Sequence, residues 1–266
     1  MKNAIIYLFE FIALQLCGGF IIEQLWKLIF GDTESTTALL ITTTSAVSLL
    51  VIAIFLLGRM AEVSPKWLRT RPWAVLCWSV LAALGAIIPS ALFQEHIPEL
   101  PNIVEQEFDM ILRNRWGYVA IGLLAPLSEE LVLRGAILRS LLHWTRSVPV
   151  QQAPRYGGHW TAIAISAVLF ALIHFNPAQM PHAFIIGLLL GWMYYRTGSI
   201  LPGVVFHWVN NSVAYVLYNL YPDPKMKLID FFGTQRAVGA AVLFSLFILL
   251  PALFQLNLRL RRADES

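Results

Sequence analysis

Charge is what this chain has least of. Only 13% of its 266 residues are Asp, Glu, Lys or Arg, while 58% are hydrophobic, and the mean hydropathy is +0.65. A soluble domain carries about 25% charge and about 45–50% apolar residues, so a water-soluble enzyme is excluded. The longest polar stretches, 58–72, 95–116 and 221–236, are loop-sized. There are two cysteines, Cys17 and Cys77, both in apolar runs. They read as small buried hydrophobes, which leaves no disulfide framework or cysteine metal site. Internal repeats, low-complexity tracts, glycine-rich phosphate loops and an H-E-x-x-H motif are all missing. The apolar runs lack the period-2 alternation of barrel strands. A nucleic-acid partner is not expected.

What the chain does have is apolar runs. They cover about 4–30, 37–57, 73–93, 117–144, 160–175, 181–195, 200–220 and 237–256. A bilayer crossing takes roughly 20 such residues. The expected fold is all-α and polytopic, with about eight transmembrane helices and a cavity for the active site inside the bundle. The first run lacks an A-x-A-like cleavage site and reads as a retained span. Three regions follow: N-terminal helices and an acidic loop over 1–116, a core over 117–220, and a loop, last helix and basic tail over 221–266.

Loop charges orient this plan. Arg59, Lys66, Arg69 and Arg71 lie in one connection, Arg139, Arg146 and Arg155 mark a second, Arg196 a third, and Arg259, Arg261 and Arg262 the tail. The 95–116 connection carries Glu95, Glu99, Glu105, Glu107 and Asp109. Basic loops stay cytoplasmic. Both termini are then expected in the cytoplasm, as an even number of spans requires.

The stretch around which the rest is organised is Ser128-Glu-Glu-Leu-Val-Leu-Arg-Gly135, in the middle of the fourth run. Two carboxylates and a guanidinium there cost roughly 2.5–3.5 kcal/mol each on insertion scales, so a chain that keeps them uses them. Glu130 and Arg134 are four apart and can pair along one helix face. Glu129 points about 100° away and is left free for chemistry. Pro126, one turn earlier, removes a backbone hydrogen bond and should loosen the helix, freeing a carbonyl near Gly122. Two more polar sites lie in apolar runs: His174 after Phe170, and His207 with Asn211 one turn on. Asn210 is the alternative carboxamide. Such groups in hydrocarbon need partners, most simply each other and Glu129 across the bundle interior. His96, His143, His159 and His182 sit at loops, interfaces or a helix start and read as non-catalytic.

Glu129-Glu130-x-x-x-Arg134, Phe170-x-x-x-His174 and His207-x-x-x-Asn211, in that order, resemble the motifs E-E-x-x-x-R, F-x-x-x-H and H-x-x-x-N/D of the CAAX prenyl endopeptidase and bacteriocin-processing (CPBP) family. The likeness is to its type 2 CAAX endopeptidase (Ras-converting enzyme) group. It spans about 117–215, and Arg134-Gly135 and Ser199-Ile-Leu-Pro-Gly203 also look like the family. Leu133 stands where members often carry an aromatic. The resemblance implies an intramembrane endopeptidase. Glu129 would be general base on a water held by His174, and His207 and Asn211 would donate to the oxyanion. Glu130, Arg134 and Phe170 would support them. It implies the bilayer and a peptide or protein substrate, lipidated in some relatives, as partners, and a bacterial plasma-membrane location. No cofactor is favoured. Zinc on Glu129, His174 and His207 is the alternative, since these are zinc-ligand types, but it would leave Glu130 as the nearest base. Other functions open at this point are a non-enzymatic immunity or partner-binding protein of the same fold, and a proton-coupled transporter.

Overall fold

A computed structural model describes residues 1–31, 35–63, 72–147, 158–221 and 226–260. Lys66, Arg69, Arg71, Arg155, Arg261 and Arg262 lie outside the described residues. Among the described residues every regular element is helical. We number them α1 (Lys2–Phe30), α2 (Thr36–Leu57), α3 (Trp73–His96), α4 (Glu105–Leu112), α5 (118–147), α6 (Gly158–Leu172), α7 (Met180–Thr197), α8 (Leu201–Leu220), α9 (Leu228–Phe232) and α10 (Gln235–Arg259).

All eight expected apolar runs form helices, and two short helices, α4 and α9, occupy stretches expected as loops. Helix α4 is amphipathic, with Glu105 and Glu107 in its first turn, where they complement the helix dipole. The expected count of eight spans is supported in part. Among the described residues four helices, α1, α2, α3 and α10, are long and apolar enough to cross a membrane. Helix α6 is apolar but has 15 residues. Helices α7 and α8 carry polar residues such as His182, Arg196, His207, Asn210 and Asn211, which lower their hydropathy. The side chains that make a site are the ones that weaken the spanning signal. Its long apolar helices mark the chain as an integral membrane protein.

The centre of the bundle is α5. All eight residues from Leu131 to Leu138 are buried, against α1, α2, α6 and α7. By contrast α1 and α10 expose large apolar side chains such as Phe9, Leu28, Phe244 and Phe247. In water such surface would be a liability; facing lipid it is expected. Helix α10 lies against α3 at Gly85, where an added Cβ would fall 2.6 Å from the Leu249 nitrogen. Such close approach by small residues is how membrane helices gain contact area.

Helix α5 is not a regular α-helix. It has wide π turns, with i→i+5 hydrogen bonds, over Tyr118–Leu124 and Leu131–Leu138, around an α segment Ala125–Glu130. Pro126 explains the first. In the π pattern its nitrogen would bond the Ile121 carbonyl, and proline has no N–H to give. The sequence reading located the freed carbonyl near Gly122. The neighbouring carbonyls are the ones that take side-chain donors, and both donors come from α8. Asn211 Nδ2 donates to Ile121 O at 3.0 Å, and Trp208 Nε1 donates to Leu123 O at 2.8 Å.

Candidate active site

Glu129, His174, His207 and Asn211 come from α5, the α6–α7 turn and α8, and all four line one cavity of about 360 Å³. Around it the polar groups are arranged in two layers.

The deeper layer is an ion pair. Arg134 Nη1 donates to Glu130 Oε1 at 2.8 Å, and both residues are fully buried. Arg134 Nη2 also donates to the Gly187 carbonyl of α7 at 3.3 Å. Its guanidinium lies over the Phe170 ring, 4.3 Å from the centroid. Burying both charges is tolerable because they neutralise each other and a ring face and a carbonyl take part of the remaining field. Glu130 Oε2 and Arg134 Nε have no hydrogen-bond partner among the described residues. Glu130 fits because residue 203 is glycine: a Cβ there would stand 2.9 Å from Glu130 Oε2.

The second layer faces the cavity. His207 is buried, with Nδ1 3.3 Å from Glu130 Oε1 and Nε2 3.9 Å from Glu129 Oε2. A carboxylate only accepts, so Nδ1 carries the proton in the first contact. Then Nε2 can donate into the cavity only when the ring carries both protons. His174 Nδ1 donates to the Phe170 carbonyl one turn earlier at 2.7 Å, leaving Nε2 as an acceptor in the neutral ring. Phe170 stands edge-on to both imidazoles, with centroids 5.0 Å from His174 and 5.7 Å from His207. Phe170 therefore orients Arg134 and both histidines, a wider part than packing alone. Glu129 keeps 20% of its side chain exposed, whereas neighbouring Glu130 keeps none. Glu130 is thus the buried, Arg134-paired carboxylate and Glu129 the more exposed one.

Asn211 is more constrained than its sequence position indicates. One amide hydrogen goes to Ile121 O, which leaves the other for the cavity, and its Oδ1 accepts from Asn210 Nδ2 at 3.5 Å. Asn210 lines the cavity as well. So do His182 and Gln179 from the start of α7, which the sequence reading did not bring to the site. Their signal was a helical spacing shared with Ala183 and Ile186, ambiguous against the apolar faces around it. Among the described residues no three His, Cys, Asp or Glu side chains are grouped closely enough to hold a metal ion.

The cavity has a direction. On α5 it runs from Glu129 back to Ile121, and on α8 from His207 forward to Tyr218. It takes in Gln179 to Ile186 at the start of α7, and Phe108 and Leu112 of α4. Helix α4 is held over this end by α8. Tyr218 donates to Asp109, Arg113 pairs with Asp109 at 2.8 Å, and Asn219 Nδ2 donates to the Leu112 carbonyl at 3.0 Å. The Asp109 carboxyl is held below its ordinary value by the Tyr218 hydroxyl first and by Arg113 second. The same aspartate raises the Arg113 guanidinium.

No curated protein and no solved structure matches the chain. Residues 112–213 match the family model of the Rce1-like, type II CAAX prenyl endopeptidases. The matched segment contains all three motifs and ends two residues beyond Asn211. Over that segment the chain is similar to the CAAX-type proteases.

Proposed function

We propose that the protein is an intramembrane endopeptidase that hydrolyses a peptide bond of a membrane-associated protein or peptide, with 117–220 as its catalytic core. The observation that carries this reading is the meeting of Glu129, His174, His207 and Asn211 around one cavity. A water there donates one hydrogen to Glu129 and the other to His174 Nε2. Glu129 takes the proton as the water oxygen bonds to the scissile carbonyl carbon. The carbonyl oxygen becomes an oxyanion facing His207 Nε2–H and the free amide hydrogen of Asn211. As the C–N bond breaks, Glu129 passes its proton to the leaving nitrogen. A positioned base contributes typically about 10²–10⁴-fold, and one oxyanion donor roughly 10²–10³-fold. Because His207 Nδ1 faces Glu130 at 3.3 Å, the buried pair does more than brace α5: it fixes the orientation of the ring, so that Nε2 is the nitrogen turned to the cavity.

The reading is metal-independent. Its steps use only side chains of this chain and water, and none is routed through a metal. Activity that survives chelators supports this; loss on chelation with recovery on adding zinc overturns it. The location proposed is a bacterial plasma membrane, both termini cytoplasmic. The substrate is a polypeptide, lipidated or not.

The test compares peptide termini in the membranes of cells carrying the wild-type protein and Glu129→Gln. New termini present with the wild type and lost with the variant are expected. A Glu129→Gln protein that reaches the membrane and leaves both the termini and the cellular phenotype unchanged would point instead to a partner-binding or immunity function.

A further inference from the structure

The direction of the cavity, set against the distribution of charge, says which side of the membrane the site serves. From Glu129 and His207 the cavity extends only toward the start of α5 and the end of α8. In the other direction Leu131 to Leu138, Leu190, Val204 and Phe206 are all buried, and the Glu130–Arg134 pair closes the floor. The closed end is the basic one. There the start of α1 and the ends of α2 and α5 bring Lys2, Arg59 and Arg139 around a separate, polar hollow, and Arg196 reaches the Asn257 carbonyl near the end of α10. The open end is the acidic one: α4 carries Glu105, Glu107 and Asp109, and Glu95 at the end of α3 accepts from the Leu228 backbone of α9. Basic loops are retained in the cytoplasm.

We infer that the cavity opens to the extracytoplasmic side, and that its substrate is an extended segment of an exported or membrane-anchored polypeptide presented there, rather than a lipidated tail presented in the cytoplasm. This rests on the endopeptidase reading above. From His207 to Tyr218 the wall on α8 is 11 residues long, about 16 Å at the rise of an α-helix. That length takes about five residues of extended chain. Tyr215 and Ala214 of α8 and Phe108 and Leu112 of α4 make the outer part apolar, so the segment enters without charged side chains. A cavity of about 360 Å³ has no room for a folded domain, so the cleaved bond lies in a disordered or unwound stretch next to a membrane anchor.

Two measurements test this. In a background with Cys17 and Cys77 replaced by alanine, Ala214→Cys or Gln179→Cys lines the cavity, and Ser140→Cys lines the basic hollow. A membrane-impermeant maleimide should label the first two in intact cells and Ser140→Cys only after permeabilisation. Labelling of Ser140→Cys in intact cells, with the cavity positions reached only after permeabilisation, overturns the inference. Cleavage is read separately. Termini lost in Glu129→Gln should map to extracytoplasmic segments beside anchors; termini mapping to cytoplasmic tails overturn the inference. Should no termini be lost, the endopeptidase reading fails, and the labelling still decides which side the cavity serves.

Discussion

The two halves of α5 are built from similar apolar residues and do opposite things. Between Tyr118 and Glu130 the helix is loosened by Pro126, its carbonyls at Ile121 and Leu123 are satisfied by side chains of α8, and Ile121, Gly122, Ala125 and Glu129 wall a cavity. From Leu131 to Leu138 every residue is buried. Hydropathy does not separate the halves. What separates them is where the backbone polar groups go and whether neighbours enclose each side chain fully. Glu129 and Glu130 stand on either side of the change, and that position alone makes one carboxylate reachable by water and the other part of the core.

The sharpest way to break this contrast is to remove one charge from each half. Arg134→Met leaves Glu130 buried without its cation, which costs roughly 3–5 kcal/mol. It should lower the thermal unfolding midpoint in detergent steeply, and Glu130→Gln in the same chain should restore much of the loss. Glu129→Gln should leave the midpoint nearly unchanged while abolishing cleavage. Equal midpoint losses from Arg134→Met and Glu129→Gln would end the distinction. Next in size is Gly203→Ala, whose methyl would meet Glu130 Oε2 at 2.9 Å. Overpacking of this kind costs about 1–3 kcal/mol, again read as a midpoint shift. Smaller still is Trp208→Phe, which deprives the Leu123 carbonyl of its donor. Cavity water can replace the donor in part, so about 0.5–1.5 kcal/mol is expected. Hydrogen exchange should rise around 118–124 and not around 131–138.

The smallest effect belongs to α4. Asp109 is held below the ordinary carboxyl value of 3.8 by Tyr218 and then Arg113. A carboxyl lowered on folding contributes stability that is present above its unfolded value and lost as pH falls through the folded one. The contacts holding α4 should therefore persist at neutral pH and weaken on acidification below about pH 4. Hydrogen exchange across 105–112 would read this, with Asp109→Asn showing faster exchange already at neutral pH. Exchange in 105–112 that ignores both changes would show that apolar contacts alone hold α4 over the cavity.

Much of the fold was legible because apolar runs are long and their ends are marked by polar or proline residues. Pro202 in the first turn of α8 and Gly198 after α7 are such marks. Helices α4 and α9 were not legible, since short amphipathic segments give a weak periodic signal against loops of the same composition. At the site, spacing was enough to separate Glu129 from Glu130, because their relation is local to one turn. The partner of Asn211 was out of reach: it depends on a π register that Pro126 permits and on the approach of α8, both tertiary facts. His182 and Gln179 were missed for the same reason, as a polar residue at the start of an apolar helix looks alike whether it faces lipid headgroups or a cavity.

The hydrogen bond from His174 Nδ1 to the Phe170 carbonyl fixes what the cavity asks of its occupant. The exposed nitrogen of a neutral ring so held has nothing to offer but a lone pair. A guest with only carbonyl or ether oxygens leaves that lone pair stranded, at about 1–3 kcal/mol, unless a water enters beside it. Compounds that bring an N–H or O–H to this spot, such as hydroxamates or hydrated ketones, should hold better than aprotic ones of the same shape.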